Sequence, residues 1–318
     1  MINKKRPIIL DGDPGHDDAI AFVLAASYSD ALDIKAITAV GGNQTLAKTT
    51  YNYRRIATLL NRTDIPIAAG RDKPLMCDLV VAPNFHGESG LDGPVLPEPQ
   101  VDITSDNAVE LMAKVLRESD EKVTIVATGP QTNVASLLLA HPELKDKIET
   151  ISIMGGGLLH GNWSPAAEFN ILVDPEAADV EFKSGVPIMM CGLDVTERAY
   201  LYPEEWENIR SMNNPVAKVV AEWFDFFFIH LKELGFEGAA IHDACAVMAL
   251  VHPEIFEMKD YFVEIETQGE YCRGATVPDY FGLTGNKPNC KCVINVDREK
   301  FVNEIINACK TYDNMEVK

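Results

Sequence analysis

The stretch Leu10-Asp11-Gly12-Asp13-Pro14-Gly15-His16-Asp17-Asp18-Ala19 follows the apolar run Pro7-Ile8-Ile9-Leu10 and precedes apolar residues in helical spacing at Ala19, Ile20, Phe22, Val23 and Leu24. An apolar run closed by Pro-Gly and continued by a helical pattern is a strand, a tight turn and a helix. Asp11, Asp13, Asp17 and Asp18 therefore crowd the carboxyl end of a strand. Mutual repulsion there raises carboxylate pKa values unless a cation offsets it, and a hard divalent ion with oxygen ligands does so most directly. The turn is read as a metal site. Attraction of negative charge to a helix N-terminus accounts for Asp17 and Asp18, but it leaves Asp11 and Asp13 without a reason.

Working outward, strand patterns at Ile34–Val40, Ile65–Ala69, Val123–Ala127, Ile148–Met154 and Val186–Gly192 alternate with helix patterns at Leu46–Leu60, Asn107–Arg117, Thr132–Ala140 and Pro175–Lys183. A helix-rich region covers Pro203–Val251, Tyr261–Thr267 and Lys291–Val296 alternate as strands, and Phe301–Cys309 closes as a helix. Short, nearly continuous apolar strands between helices predict an α/β fold with a parallel sheet covered on both faces. In such open sheets the ligand crevice lies beyond the carboxyl ends of the strands. The unusual polar residues fall there: the aspartate turn, Gly41-Gly42-Asn43, Thr128-Gly129-Pro130, Met154 to Gly157, and Asp194. The long irregular stretches Asp72–Gln100 and Leu158–Asn170 are placed to cap this edge.

Composition narrows the partners. A chain of 318 residues with 47% hydrophobic content accommodates one large α/β domain or two smaller ones, and a single domain over 1–318 is the reading adopted. The formal charge of −20 repels phosphate backbones and anionic lipid surfaces, which argues against nucleic acid and membrane partners. The opening segment leads straight into the first strand, too short an apolar run for a signal peptide, and no stretch of about 18 apolar residues follows; a soluble, cytoplasmic protein is expected. The seven cysteines are dispersed without Cys-x-x-Cys spacing, so neither zinc nor a redox role is assigned to them.

Three further segments carry chemistry. Asp243, opening an apolar helix, is an N-cap or a ligand, and the adjacent His242 makes the pair a plausible proton donor beside the carboxylates. The glycine-rich loop Asn84 to Gly93 sets His86 among flexible neighbours, a solvated histidine or the acid of a lid. The segment Gly161 to Asn170 offers Asn162, Glu168 and Asn170, a set suited to several hydroxyl groups at once, or an Asn-rich surface turn. No Lys or Arg occurs in any of these segments or in the strand-end motifs 11–18, 41–43, 128–133 and 154–174. A phosphorylated ligand normally meets a basic clamp, so an uncharged polyol or nucleoside fits better. The aromatic run Trp223 to Phe228 lines a base pocket or belongs to the core.

These segments, led by Asp11-Gly-Asp-Pro-Gly-His-Asp-Asp18, resemble in the same order the motifs of the inosine-uridine preferring nucleoside hydrolase family, over nearly the whole chain. The resemblance implies hydrolysis of the N-glycosidic bond of ribonucleosides on a Rossmann-like core. It implies a tightly held Ca²⁺ bound by Asp13, Asp18, Asp243 and the backbone carbonyl of Thr128, with Asp13 also the general base toward the metal-held water. By the same matching, Asp17, Asn43, Asn162, Glu168, Asn170 and Asp243 hold ribose hydroxyls, Met154 joins the substrate-binding set, and His86 and His242 lie near the leaving base as candidate acids. A homodimer or homotetramer is implied as well. His86 and His242 together resemble the pyrimidine-accepting branch, whereas His230 and Leu234 stand where those members carry Gln and Tyr, which leaves the preferred base open. The chemistry is consistent: an oxocarbenium-like transition state calls for an activated water, fixed hydroxyls and a stabilised leaving group. The rival readings are an aspartyl-phosphate phosphatase, from Asp11-x-Asp13 at a strand end, and a non-catalytic sugar or nucleoside binding protein.

Overall fold

The computed structural model describes residues 5–313 and Met315; the remainder of the opening segment, residues 1–4, and the outermost ends of the 1–318 span lie outside them. Eight strands form one sheet: β1 (Arg6–Gly12), β2 (Leu32–Ala39), β3 (Ile67–Ala69), β4 (Val123–Ala127), β5 (Ile148–Met154), β6 (Ile188–Cys191), β7 (Phe256–Tyr261) and β8 (Cys290–Val296). Their order is β3-β2-β1-β4-β5-β6-β8-β7, parallel throughout except for β7, which runs antiparallel to β8 at the edge. β4 and β6 are buried along their whole length, as the continuous apolar runs require. Side chains alternate between two cores, one on each face: Ile8 and Leu10 enter one, Ile9 the other.

The chain moves outward from β1 to β3 and then returns to place β4 on the other side of β1, so the sheet reverses direction between β1 and β4. That reversal is where an open α/β sheet forms its crevice. The turn Asp13–Gly15 leaves β1 there, tied on one side by Val40 N–H to the Gly12 carbonyl (3.0 Å) and on the other by Thr128 N–H to the Asp11 carbonyl (2.8 Å).

Two expectations shift. The strand expected at Tyr261–Thr267 is divided: Phe256–Tyr261 enters the sheet, and Val263–Ile265 pairs separately with Thr276–Pro278. Phe256–Tyr261 carries Glu257, Lys259 and Asp260 on an exposed edge, a charge pattern that protects an edge strand and hides it from an apolar reading. The irregular stretches also contain short helices, Pro83–His86 and Phe169–Val173. Cys290 and Cys292, two residues apart on β8, share a face, with sulfurs 3.7 Å apart and both thiols free. Among the described residues, no helix is long and apolar enough to cross a membrane.

Candidate active site

Gly12 ends β1 because nothing larger fits: a Cβ there would lie 2.4 Å from Tyr53 Oη, 2.5 Å from Thr128 Oγ1 and 2.6 Å from Asp18 Oδ1. That close approach brings the aspartates together. Asp18 turns back onto the turn, its carboxylate accepting from Gly15 N–H (3.0 Å), Thr128 Oγ1–H (2.8 Å) and Asn43 Nδ2–H (3.3 Å). Asp13 accepts from Asn43 N–H through Oδ2, while its Oδ1 has no hydrogen-bond donor. Asp17 Oδ1 is likewise without a donor. Asp243 arrives from the far side at the N-cap position of the helix Ala244–Val251, but in helical backbone conformation and without a side-chain capping hydrogen bond. Oxygens of Asp17, Asp18 and Asp243 lie within 4.8 Å of one another, and all three residues are buried. Asp11 points away from this group, its Oδ1 held by Thr38 Oγ1–H and Asn133 Nδ2–H.

Burial sets the electrostatics. It pushes Asp17 up to about 8 and Asp11 to about 7, in Asp17 with help from the Asp18 charge and in Asp11 against the hydrogen bonds from Thr38 and Asn133. Asp13 and Asp243 are also driven well above the carboxylate range, first by burial and then by neighbouring carboxylates. Such a group lacks a positive charge. Clustered hard oxygens, some without any donor, fit a divalent cation such as Ca²⁺. The group includes Asp17, which the sequence reading assigned to substrate.

In front of the carboxylates lies a cavity of about 570 Å³ whose lining includes Asp17, Asn43, His86, Thr128, Met154, Asn162, Glu168, Asn170, His242 and Asp243. Asp13 and Asp18 are not in that lining. No Lys or Arg lines the cavity among the described residues. Glu168 caps the helix Phe169–Val173 by accepting from Asn170 N–H (2.9 Å) and Ile171 N–H (3.2 Å), and also accepts from Gly156 N–H (2.8 Å). Burial nonetheless raises it to about 7. Asn170 Nδ2 donates to the carbonyls of Thr128 (2.8 Å) and Met154 (3.1 Å), which aims its oxygen elsewhere. Asn162 Oδ1 accepts from Phe169 N–H (3.0 Å) across the loop, which leaves its amide hydrogens available.

His86 is buried rather than solvated. Its ring stacks on Phe227 at 5.6 Å, and Nδ1 lies 3.3 Å from His16 N and 3.1 Å from His16 Nδ1. His16 Nε2 is 2.8 Å from the Asp92 carbonyl. His242 Nδ1 is 2.8 Å from Thr196 Oγ1. The near-neutral acid expected of these histidines is not what the site holds: burial takes His242 down to about 4, and burial with the fields of His16 and His242 takes His86 well below the imidazole range. Both are neutral at pH 7 and offer an N–H as a hydrogen-bond donor.

The aromatic run divides. Trp223 and Phe224 are core, Phe226 stacks on His16 at 5.3 Å, and Phe227 reaches the cavity. Of the two positions flagged on this helix and just past it, Leu234 lines the cavity mouth while His230 sits edge-on to Phe85 at 4.7 Å. Asp194, expected at the crevice, instead accepts from Leu158 N–H (2.7 Å). Sequence reasoning missed Tyr53 beneath the aspartates and the outer wall of Glu197, Tyr200, Tyr202, Phe236 and Glu237. Tyr200–Leu201 and Ala239–Ala240 pair as two-residue strands, too short for any periodic signal.

The family model for inosine-uridine preferring nucleoside hydrolases matches residues 8–303. The chain is 57% identical over 308 residues to a pyrimidine-specific ribonucleoside hydrolase, RihA, of Escherichia coli O1:K1, covering 96% of this chain and 99% of the relative. Among solved structures it is similar to a purine-preferring ribonucleoside hydrolase from Gardnerella vaginalis, with a TM-score of 0.92 at 29% identity over 98% of this chain and 100% of the other. It is also similar to a plant nucleoside hydrolase, PpNRh1, with a TM-score of 0.88 at 28% identity over 96% of this chain and 99% of that one.

Proposed function

The chain belongs to the inosine-uridine preferring nucleoside hydrolase family, and from that premise we propose that it is a Ca²⁺-dependent hydrolase of pyrimidine ribonucleosides working through Asp13. Hydrolysis of the N-glycosidic bond of a ribonucleoside is its activity. The observation that carries the finer reading is a set of buried carboxylates, two with oxygens lacking any donor, behind a cavity without a basic side chain. A phosphatase of the aspartyl-phosphate type needs a cation for its phosphate, which this lining does not offer.

Asp13, Asp18, Asp243 and the Thr128 carbonyl would hold the Ca²⁺, with Asp17 beside them. When bound, the ion supplies a Lewis-acid field that acidifies water, modestly compared with zinc. Asp13 takes the proton from the attacking water. Asp17, Asn43, Asn162, Glu168, Asn170 and Asp243 fix the ribose hydroxyls, and Met154 supports the ribose while its carbonyl orients Asn170. The electron pair of the C1′–N bond departs with the base, which receives hydrogen bonds from the neutral rings of His86 and His242. Pyrimidine preference is supported by the 57% identical relative, against 29% for the purine-preferring structure. A single hydrolase domain over 1–318, a homodimer or homotetramer, and a cytoplasmic location complete the proposal. Ribose release from uridine, cytidine, inosine, adenosine and uridine 5′-monophosphate tests it. Higher kcat/KM for uridine and cytidine, with no release from the monophosphate, is expected; faster cleavage of inosine overturns the base assignment.

A further inference from the structure

His16 stands in the aspartate turn but is neither in the carboxylate group nor in the cavity lining. It is buried at the first position of the helix His16–Ser27, where backbone N–H groups have no partner within the helix. Its N–H is directed at His86 Nδ1 (3.3 Å). The two nitrogens of His86 are thereby distinguished: Nδ1 faces the turn and Nε2 does not. Among the described residues its Nε2 has no hydrogen-bond partner, and His86 lines the cavity.

The side chain of His16 packs on the same ring. Its ring lies between His86 and Phe226, at 5.3 Å from each, and its Nδ1 is a second neighbour of His86 Nδ1 at 3.1 Å. Its Nε2 meets the Asp92 carbonyl at 2.8 Å; a carbonyl only accepts, so the ring hydrogen of His16 resides on Nε2 and ties the ring to the loop that carries His86. Asp92 closes the loop that carries His86: its carboxylate accepts from Glu88 N–H (2.9 Å) and Ser89 N–H (3.2 Å), and its own N–H donates to the His86 carbonyl (3.3 Å). Gly15 permits the approach, since a Cβ there would lie 2.7 Å from His86 Nδ1 and Cε1. The contacts run unbroken from loop to turn to cavity.

We infer that His16 is a positioning residue of the hydrolytic reaction: it clamps His86 against the metal-binding turn with Nε2 presented to the departing base. This rests on the hydrolase reading. His16 acts on leaving-group departure alone, not on the ribose or the cation.

The test compares uridine with p-nitrophenyl β-D-ribofuranoside, whose leaving group is stable as an anion and needs no hydrogen bond to depart. The His16→Ala, His86→Ala and double variants are assayed for kcat and KM on both, each with saturating Ca²⁺. For His16→Ala, kcat on uridine is expected to fall about tenfold or more while KM and the rate on the nitrophenyl riboside change by no more than about threefold. In the His86→Ala background, removing His16 should change the uridine rate by less than about threefold, because the two act through one path. Equal losses on both substrates, or additive losses in the double variant, overturn the inference. Should His16→Ala not fold, the same comparison is made with His16→Gln, which fills much of the space without a ring to stack on His86. A parent protein that releases ribose from neither substrate removes the hydrolase reading itself, a result distinct from failure of the inference.

Discussion

Replacing Glu181 by Gln should stabilise the protein in a pH-dependent way. Glu181 lies in the helix Pro175–Phe182, fully buried, with neither carboxylate oxygen hydrogen-bonded. Burial, assisted by the charge of Asp11, raises it from 4.5 to about 8. A folded-state pKa above the unfolded one means the native protein binds the proton more tightly, so the favourable contribution is complete below pH 4.5 and is lost as pH rises toward 8. Gln is nearly the same size and neutral throughout, so the pH dependence of the difference reports the proton on Glu181. At pH 7 the parent bears a penalty of about 3 kcal/mol, and above pH 8 about 5 kcal/mol, at 1.36 kcal/mol per unit. With an unfolding entropy of about 2 cal/mol/K per residue over 318 residues, the pH 7 difference is a rise in Tm of about 5 °C. Thermal melts of both proteins from pH 4.5 to 8.5 in saturating Ca²⁺ measure it. The two curves should converge at pH 4.5 and separate steadily above it. A constant offset, or a variant that melts lower at pH 7, refutes the reasoning.

Other outcomes follow from the site. Gly12→Ala forces a methyl group against Tyr53, Thr128 and Asp18, and should destabilise the protein by about 1–3 kcal/mol while weakening Ca²⁺ binding, read by melting and by calcium titration. Asp13→Ala removes the proton acceptor and should lower kcat by about 10²–10⁴ with little change in KM, whereas Asn162→Ala, which loses a hydroxyl contact, should mainly raise KM; steady-state kinetics on uridine separates them.

β1, β4, β5 and β6 were legible because central parallel strands are covered on both faces, which leaves short, mostly apolar runs. Phe256–Tyr261 was not, since an exposed edge replaces that signal with charge. The cavity was legible to the extent that its residues lie at strand ends and in the two glycine- and asparagine-rich loops. Its outer wall was hidden because Tyr200, Tyr202 and Glu237 flank a two-residue strand pair created by tertiary packing. Tyr53 was hidden for a different reason: on a helix its buried position reads as core, and only the three-dimensional approach of Gly12 brings its hydroxyl beneath the carboxylates. The histidines show the limit of reasoning from residue type, because the burial that makes them useful also removes their charge.

The most direct test of the account is a Ca²⁺ titration of metal-stripped protein, following bound calcium and ribose release from uridine in the same samples. Activity that returns in proportion to one Ca²⁺ per chain, and fails to return when Asp18→Asn and Asp243→Asn abolish binding, is the predicted result. Full activity in protein verified to be free of metal would contradict the account.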